Sequence, residues 1–492
     1  MGSKISVLAC DIGGGSGRIL VVNFNGNTMD YELATRFDNH SVSVGDSLYW
    51  DVLGIYKGIK DGLVKCANMG IRATSMGIDT WGNDFCFIDK QGYMLENPYS
   101  YRDARTDGIQ DHVNQMIPNY QLYSRNGVQQ VKMNTLYQLV SLVKNRQYMF
   151  DIAHKFLFIP DLLTYFLTGE IFNEYTLASI SQLFNYSSNS WDFDLTRKLG
   201  IPSDLFSNIT LPCEKKIPLK DEICNELHID SIPLITVGAH DTASAVVAVP
   251  QSQQTIYISS GTWSIVGTEV EKPIINEQAY KYNFSNEGGV GGTIRLLKNV
   301  MGMWIVQELQ RVFSIDGRAY SFSELIELVK CSKPFGAVID PDDVSFYQPL
   351  NMAQAIRQYC SRTGQKVPET DGELIRTAFE SLALKYRYVV EKLEMLVCKE
   401  LDSIHIIGGG CQNEIVNQMT SNCCKKPVYA GPVEATALGN AVTQLIALGE
   451  LNSISEARAV IKESFQPKMY VPQDTEQWEQ HYQYFLSINN LL

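Results

Sequence analysis

Short apolar runs and segments with helical spacing alternate along the whole chain. The first apolar run, residues 5–10, predicts a strand, residues 11–18 a glycine-rich turn, and residues 19–24 a second strand. The chain therefore opens strand–turn–strand, whereas a dinucleotide fingerprint needs its glycines to open a helix. Arg18 stands where the third glycine of that fingerprint belongs, and the sequence also contains no Walker A loop. Both common nucleotide-binding motifs are excluded.

The middle of the chain mixes helical and strand patterns. Helical spacing covers residues 52–66 and the stretch 130–170, where Pro160 marks a helix start. Apolar runs predict strands over residues 74–78, 85–88 and 234–237. The last of these strands leads into His240-Asp241-Thr242 and a helix over residues 243–248.

The second half of the sequence repeats the pattern of the first. A strand over residues 255–259, the turn Ser260-Gly261-Thr262 and a strand over residues 263–267 form another strand–turn–strand unit. Further on, the pattern predicts a helix over residues 378–398, a strand over residues 404–407 that runs into Gly408-Gly409-Gly410, and a helix over residues 435–448. We therefore predict two α/β domains, divided at the polar stretch 251–254.

Composition and charge narrow the function classes. Of the 492 residues, 45% are hydrophobic and 19% charged, which is typical of a folded protein. The net charge is 41 − 54 = −13, which argues against nucleic acid or a membrane surface as a partner. No apolar run is long enough to span a membrane, and the N-terminal residues do not form a signal sequence. Eleven cysteines without a C-x-x-C pair are typical of a reducing compartment, so we expect a cytoplasmic protein.

The first candidate site is Asp11 with the glycine-rich residues 14–18. A carboxylate beside such a turn can hold a hydrated magnesium ion, and the exposed N–H groups can bind phosphate oxygens. The alternative is a hairpin that needs glycine only for positive φ. Arg18 is equally suited to a phosphate contact or a salt bridge. Ser260-Gly261-Thr262 offers similar groups in the second half.

Three other segments carry candidate chemistry. Asp241, where a strand leads into a helix, has the place of a general base, but aspartate is also a favoured N-cap residue. Three consecutive glycines at 408–410 favour close approach of a ligand to the backbone. The segment 79–84 offers polar groups beside an indole, which suits a sugar or, equally, a turn packed under a core tryptophan.

Taken together, these residues resemble the FGGY carbohydrate kinases, and among them the kinases of L-rhamnulose most, with L-fuculose kinases next. The resemblance extends from Asp11 to about Leu451. It is carried by residues 14–18, 77–82, 101–103, 240–244, 260–264, 297–302, 408–413 and 430–435. This chain departs from the family pattern at Gly14 and Gly15, where relatives carry alanine or serine.

The resemblance implies two actin-like (ribonuclease-H-like) ATPase domains with a deep interdomain cleft. We expect an N-terminal sugar-binding domain over residues 1–250, an ATP-binding domain over residues 251–455 and a C-terminal extension over residues 456–492. Asp241 matches the family's proton acceptor, and Asp11 matches the acid near magnesium, which it holds through water. The implied sugar contacts are Gly82, His240, Thr242 and Asn299. The implied nucleotide contacts are Gly14, Gly15, Ser16, Gly17, Arg18, Thr262, Gln307 and Gly409.

The implied reaction is transfer of a phosphoryl group from MgATP to the 1-hydroxyl of a 6-deoxy ketohexose. L-Rhamnulose is the expected substrate, with L-fuculose as the alternative. The expected partners are these small molecules alone, and the chain is expected to be a monomer or a homodimer. Two other classes remain as alternatives: an actin-like ATPase without a sugar substrate, and a sugar-responsive regulator.

Overall fold

The computed structural model describes residues 4–250 and 254–491. These residues form two compact units. Unit 1 contains residues 4–250, 269–296 and 435–465, and unit 2 contains residues 254–268, 297–434 and 466–491. Residues 251–253 of the predicted linker lie outside the described residues, and the three-part division at 250/251 and 455/456 stays a prediction.

The strands are short, and many follow the predicted runs. They are β1 (Ile5–Ile12), β2 (Ser16–Phe24), β3 (Met29–Asp38), β4 (Ser41–Val44), β5 (Ser47–Trp50), β6 (Ser75–Thr80), β7 (Phe85–Ile88), β8 (Lys155–Phe158), β9 (Asn173–Glu174), β10 (Phe184–Asn185), β11 (Ser190–Trp191), β12 (Ile209–Thr210), β13 (Lys216–Pro218), β14 (Pro233–Ile235), β15 (Thr255–Ser260), β16 (Trp263–Val270), β17 (Ser285–Gly288), β18 (Ile294–Met301), β19 (Ser403–Ile407), β20 (Val428–Ala430) and β21 (Lys468–Tyr470).

The helices range from single turns to one of 27 residues. They are α1 (Val52–Asn68), α2 (Ile109–Met116), α3 (Asn119–Asn126), α4 (Thr135–Asn145), α5 (Met149–Ile152), α6 (Ile159–Thr168), α7 (Tyr175–Ile180), α8 (Phe193–Lys198), α9 (Asp221–Leu227), α10 (Asp241–Val247), α11 (Glu277–Lys281), α12 (Trp304–Ile315), α13 (Phe322–Cys331), α14 (Met352–Arg362), α15 (Asp371–Val397), α16 (Glu414–Cys424), α17 (Ala435–Leu448), α18 (Ile454–Ser464) and α19 (Thr475–Ile488).

Unit 1 is built on a six-stranded sheet in the order β13-β14-β6-β1-β2-β3. β1 and β2 form an antiparallel hairpin, and β6 pairs with β1 in parallel, as a strand reached through the crossover helix α1 does. The predicted strand–turn–strand opening is confirmed, except that β2 begins at Ser16 rather than at residue 19. The glycine-rich turn is shorter than predicted because Asp11 and Arg18 are paired strand residues.

The two faces of β1 have different neighbours because side chains alternate along a strand. Leu8, Cys10 and Ile12 belong to a core cluster with apolar residues of α1 and α6. Asp11 points to the other face of the sheet, the face on which the α17 residue Asn440 bonds to Asp79 of β6. The sheet thus separates an apolar core from a face that carries carboxylates.

Unit 2 repeats this arrangement on its own sheet, in which the strands follow the order β18-β16-β15-β19-β20-β21. β15 and β16 form an antiparallel hairpin, and β19 pairs with β15 in parallel. The predicted repetition of the opening unit is therefore confirmed at the level of strand pairing.

Some predicted elements differ from the structure. The stretch 130–170 is not continuously helical, because residues 155–158 form β8, a strand paired with β7. An apolar run of four residues cannot be told from a buried helical segment by periodicity alone. The long helix α15 begins at Asp371 rather than at residue 378. Its start is defined by a capping box formed by Thr370 and Glu373. Pro160 does lie at the start of α6.

Within residues 4–250 and 254–491, none of the helices has both the length and the apolar content needed to cross a membrane.

Candidate active site

The turn between β1 and β2 presents backbone N–H groups. Gly13 closes the turn by donating its N–H to the carbonyl of Ser16 at 3.0 Å. Asn39 donates its side-chain amide to the carbonyl of Gly13 at 2.7 Å and its backbone N–H to that of Gly15 at 3.4 Å. Within the described part of the chain, no hydrogen bond uses the N–H groups of Gly14 and Gly15. The turn therefore resembles an anion-binding concavity.

The glycines of this turn are not explained by backbone strain. None of them has φ in the left-handed region, so the prediction that the hairpin needs glycine only for positive φ is wrong. Gly17 is a packing glycine, since a Cβ there would lie 2.3 Å from the ring of Phe37. A Cβ at Gly15 would meet no atom within 4 Å, and one at Gly14 only atoms at 3.7 Å or more. Neither strain nor packing therefore requires glycine at these two positions.

Asp11 and Arg18 face each other across the hairpin. Arg18 donates to Oδ2 of Asp11 from Nη2 at 2.6 Å and from Nε at 3.0 Å. The Asp11 side chain is 7% exposed and that of Arg18 25% exposed. Of the two roles expected for Arg18, the structure contains the salt bridge, which holds the Asp11 carboxylate at the edge of the turn.

Asp79 adds a second carboxyl group beside Asp11. The two are register partners in the parallel pairing of β1 and β6. Asp79 is fully buried, accepts a 2.6 Å hydrogen bond from Asn440 on Oδ2 and has no partner for Oδ1. Burial and, next, the charge of Asp11 hold its pKa well above the usual value. The surroundings of Asp79 therefore favour its uncharged form.

Asp241 is the first residue of α10, and His240 occupies the N-cap position. The alternative that Asp241 is the N-cap is therefore wrong, although its Oδ1 accepts the N–H of the next residue, Thr242, at 2.6 Å. Burial raises the pKa of Asp241 to about 7, with a further increase from Asp11. About a third of the side chain is exposed. A carboxyl group that titrates near neutrality and reaches solvent is suited to general-base chemistry.

His240 and Gly82 flank this carboxyl group. Nε2 of His240 lies 3.4 Å from Oδ1 of Asp241, and Thr80 and His240 form an isolated parallel bridge that aligns the two loops. A Cβ at Gly82 would lie 3.4 Å from Nε2 of His240 and 2.3 Å from a methyl of Ile180. Glycine at 82 thus leaves the imidazole edge uncovered. The structure brings together the predicted residues Gly82, His240, Asp241 and Thr242.

In the segment 79–84, Trp81 and Asp84 have a structural role. Trp81 is buried, with its ring centroid 4.2 Å from that of Trp50. Oδ2 of Asp84 accepts the indole N–H groups of Trp50 at 2.6 Å and Trp81 at 2.9 Å. The alternative of a turn packed under a core tryptophan thus describes Trp81 and Asp84, whereas Gly82 faces the imidazole.

In unit 2, the turn between β15 and β16 is bound to the segment that starts α12. Gly302 donates its N–H to the carbonyl of Thr262 at 3.1 Å, and Met303 donates to that of Gly261 at 2.9 Å. The Thr262 hydroxyl donates to the amide oxygen of Gln307 at 3.2 Å. Two predicted nucleotide contacts are therefore neighbours, and Gln307 is exposed.

The positions 408, 409 and 410 differ in why they carry glycine. Gly408 has φ +79°, and a Cβ at Gly410 would lie 2.0 Å from the Ser260 hydroxyl oxygen, so that both positions require glycine for strain or packing. Gly409 has neither restriction, because a Cβ there would meet no atom within 4 Å, and it is exposed. The backbone at Gly409 is thus open to a ligand and lies next to the turn that ends β15.

Asn299, the remaining predicted sugar contact, belongs to unit 2 and lies in β18. The residue before it, Lys298, belongs to a cluster of charged groups with Lys385, Asp340 and Asp342. Lys385 lies 2.8 Å from Asp340 and 3.0 Å from Asp342. Burial lowers the pKa of the neighbouring Lys298 to about 8, with Asp342 opposing the shift. Met301 donates its N–H to Asp342 at 2.9 Å, which ties the cluster to the end of β18.

Within the described part of the chain, no three or more His, Cys, Asp or Glu residues form a set that could hold a metal ion. A carboxylate that is already bonded to an arginine, as Asp11 is to Arg18, fits the outer shell of a magnesium ion whose other ligands are phosphate oxygens and waters.

The chain belongs to the FGGY family of carbohydrate kinases: residues 6–248 match the family's N-terminal domain and residues 256–448 its C-terminal domain. Within this family it is similar to rhamnulokinases. It is 44% identical to the rhamnulokinase of Halalkalibacterium halodurans, over 95% of this chain and 99% of the relative. It is 41% identical to that of Bacteroides thetaiotaomicron, over 98% of this chain and 99% of the relative. The predicted family and the predicted carbohydrate-kinase activity are confirmed.

The fold is shared with solved carbohydrate kinases. Xylulose kinase from Rhodospirillum rubrum matches with a TM-score of 0.82 at 15% identity, covering 100% of this chain and 99% of that one. Plasmodium falciparum glycerol kinase with ADP matches with a TM-score of 0.78 at 13% identity, covering 100% and 99%. The predicted fold class, α/β with two actin-like ATPase domains, is confirmed.

Sequence reasoning missed several residues around the site. Asn39 and Asn440 carry no motif, and only the tertiary structure places them beside the turn and Asp79. Arg295 and Glu287, which lie beside His240, were missed as well. For Arg295 a signal exists, since a charged residue within the apolar run that forms β18 is unusual in a buried strand.

Proposed function

We propose that the protein transfers the γ-phosphoryl group of ATP to the 1-hydroxyl of a 6-deoxy ketohexose, with L-rhamnulose as substrate and L-fuculose as the second candidate. The similarity to rhamnulokinases over nearly the full length supports the first sugar. The two sugars differ at carbon 4, and one inverted hydroxyl is discriminated strongly only where buried groups bond to it. We propose cytoplasmic function as a monomer or homodimer.

The observation that carries the proposal is the carboxyl group of Asp241. Its pKa of about 7 leaves a substantial fraction ionised at neutral pH and able to accept a proton. We assign it the role of general base: it orients the sugar hydroxyl and takes its proton as the hydroxyl oxygen bonds to the γ-phosphorus. The bond from that phosphorus to the β,γ-bridging oxygen breaks, and ADP leaves.

The sugar is assigned to Gly82, His240, Thr242 and Asn299. In unit 1 this assignment is supported by the imidazole edge that Gly82 leaves uncovered beside Asp241. The Thr242 hydroxyl lies 3.2 Å from Oδ1 of Asp241, so it is suited to hold the carboxylate in place.

The nucleotide is assigned to two groups of residues, one in each unit. The turn residues Gly14 to Arg18 are proposed to bind phosphate oxygens. This is supported by the N–H groups of Gly14 and Gly15, which have no hydrogen-bond partner among residues 4–250 and 254–491. Thr262, Gln307 and Gly409 are proposed to bind the rest of ATP, supported by the exposure of Gln307 and Gly409.

Magnesium is proposed to arrive with ATP, with Asp11 as an outer-shell ligand through water. When bound, the ion neutralises phosphate charge, and the protein's own residues position the reactants. Because the transition state of phosphoryl transfer is loose, such positioning is the main task of the enzyme.

The test is sugar-dependent release of ADP with L-rhamnulose, L-fuculose, L-ribulose, D-xylulose and glycerol. We expect strong turnover of L-rhamnulose by the wild type and a loss of about 10²-fold or more in Asp241→Asn, with ATP binding retained. Asp61→Asn, which removes an exposed carboxylate of α1, is the control and should leave turnover unchanged.

Strong turnover of L-fuculose alone would replace L-rhamnulose by the second candidate. Wild-type ADP release that no sugar increases, or substantial turnover by Asp241→Asn, would contradict the proposed reaction or the proposed base, respectively.

A further inference from the structure

A buried row of charged groups reaches the imidazole of His240 from the side opposite Asp241. Nη2 of Arg295 lies 3.2 Å from Oε2 of Glu287 and 3.2 Å from Nδ1 of His240. Arg295 is fully buried and Glu287 is 5% exposed. Nε of Arg295 donates to the carbonyl of Gly288 at 3.1 Å, which fixes the plane of the guanidinium.

Arg295 determines which nitrogen of His240 carries the proton. A guanidinium has only N–H donors, so at 3.2 Å Nδ1 of His240 must accept. Burial, followed by the charge of Arg295, holds the pKa of His240 well below its usual value, so the ring is neutral. A neutral imidazole whose Nδ1 accepts carries its proton on Nε2.

The Nε2 edge of His240 is the one beside Asp241 and Gly82. Nε2 lies 3.4 Å from Oδ1 of Asp241, longer than a good N–H···O bond. A Cβ at Gly82 would lie 3.4 Å from Nε2, so the missing side chain leaves that edge accessible. The Nε2–H is therefore available to an oxygen atom placed next to the Asp241 carboxylate.

The backbone of His240 is fixed as well. Its N–H donates to the Thr176 hydroxyl oxygen at 3.0 Å, and that hydroxyl donates to Oε2 of buried Glu174 at 2.6 Å. The ring is thus held by Arg295 at one end, and its main chain by Thr176 at the other.

We propose that Arg295 and Glu287 are positioning residues that fix His240 in the Nε2–H tautomer, so that His240 donates a hydrogen bond to a sugar oxygen beside Asp241. Arg295 supplies the donor to Nδ1, and Glu287, 3.2 Å from Nη2, is the opposite charge beside Arg295. The inference rests on the proposed function for the identity of the sugar, and it requires that the oxygen bound there be a hydrogen-bond acceptor. Glu287 also lies 3.8 Å from Nδ1, so that without Arg295 its carboxylate favours a proton on Nδ1 instead.

The tautomer is read directly by ¹H–¹⁵N correlation spectra of the full-length protein labelled with [¹⁵N]histidine. The chain has seven histidines. The signals of His240 are identified as those that are absent from the spectrum of the His240→Gln variant. We expect an unprotonated Nδ1 and a protonated Nε2 in the wild type. Arg295→Met should protonate Nδ1, whereas Arg295→Lys, which also only donates, should keep the wild-type pattern.

Kinetics with the proposed sugar provides the second readout. We expect kcat/KM for the sugar to fall about tenfold in Arg295→Met, the scale of one lost hydrogen bond, with KM for ATP unchanged. Arg295→Lys should recover most of the loss. Arg125→Met is the matched control, since it breaks another arginine–carboxylate pair in unit 1, with Asp192 at 2.6 Å, and should leave sugar kinetics unchanged.

If Arg295→Met does not fold because Glu287 is left buried and unpaired, the double variant Arg295→Met/Glu287→Leu removes both charges. It is expected to show a mixture of the two tautomers. A wild-type Nδ1 that is protonated, or an Arg295→Met variant, single or double, that keeps the wild-type pattern, would overturn the inference. The spectra need no turnover, so they test the tautomer of His240 even where the proposed reaction fails. An active wild type with the proton on Nδ1 would contradict this inference and leave the proposed function in place.

Discussion

Asn440 donates a 2.6 Å hydrogen bond to Oδ2 of Asp79, although 361 residues separate them in the chain. Both are fully buried, and Asn440 is itself held by Gln444, which donates to its amide oxygen at 2.7 Å. Burial raises the pKa of the Asp79 carboxyl group most, and the hydrogen bond from Asn440, followed by the charge of Arg18, opposes that shift. The bond places Asn440 of α17 against the face of the unit 1 sheet that carries the carboxyl groups.

We predict that Asn440→Leu lowers the free energy of unfolding by about 1–3 kcal/mol, because it leaves a buried carboxyl group without a hydrogen-bond partner. Asp79→Asn should cost less, since a neutral amide can still accept from Asn440. Urea denaturation of both variants measures the difference. A larger loss for Asp79→Asn than for Asn440→Leu would contradict the interpretation that burial penalises this carboxyl.

The pH dependence of sugar phosphorylation should report Asp241. The pKa of Asp241 is raised to about 7, so most of its carboxyl groups are ionised, and able to accept a proton, only above that pH. We expect kcat/KM for the sugar to fall about tenfold per pH unit below about 7 and to level off above it. The measurement is a pH–rate profile with saturating MgATP.

Asp11→Asn should move this acidic limb to lower pH, because the negative charge of Asp11 contributes to the raised pKa. Asp61→Asn, far from the site in sequence and exposed, is the control and should leave the limb in place. An unshifted limb in Asp11→Asn would show that the two carboxyl groups do not interact.

Replacing single glycines separates packing from ligand approach at residues 408–410. Gly409→Ala should fold normally and raise KM for ATP, because its Cβ enters space open to a ligand. Gly410→Ala should instead lower stability by about 1–3 kcal/mol through overpacking against Ser260. Thermal unfolding and ATP titration distinguish the two, with Gly336→Ala as an unhindered control in unit 2. An unchanged KM for ATP in Gly409→Ala would remove Gly409 from the nucleotide site.

The turn after β1 allows a similar comparison. Gly15→Ala should raise stability by about 0.4–1 kcal/mol, since the position is unstrained and open and alanine restricts the unfolded chain. We expect its KM for ATP to stay equal or fall, because a stiffer turn is better prepared for phosphate. Gly17→Ala should destabilise, because its Cβ would meet the ring of Phe37. Loss of ATP affinity in Gly15→Ala would mean that the N–H geometry there needs glycine.

The local pattern predicted the strand–turn–strand units correctly and failed where a short run was ambiguous. The hairpins at Ile5 and Thr255 follow from apolar runs separated by small residues, a signal contained within about 20 residues of sequence. Residues 155–158 read as helix because nothing local shows that β7, some 70 residues earlier, pairs with them. Pairing over such a separation is a tertiary property.

The sequence by itself determined the candidate chemistry. It contains, in this order, the glycine turn after Asp11, the aspartate at 241 where a strand leads into a helix, and the glycines at 408–410. That order is specific enough to predict the family. What these residues do to one another was decided only by the tertiary structure. The pKa of Asp241 and the proton position on His240 depend on burial and on charges brought in from distant segments. Electrostatic interactions act through space over a few ångströms, and spacing along the chain does not contain those distances.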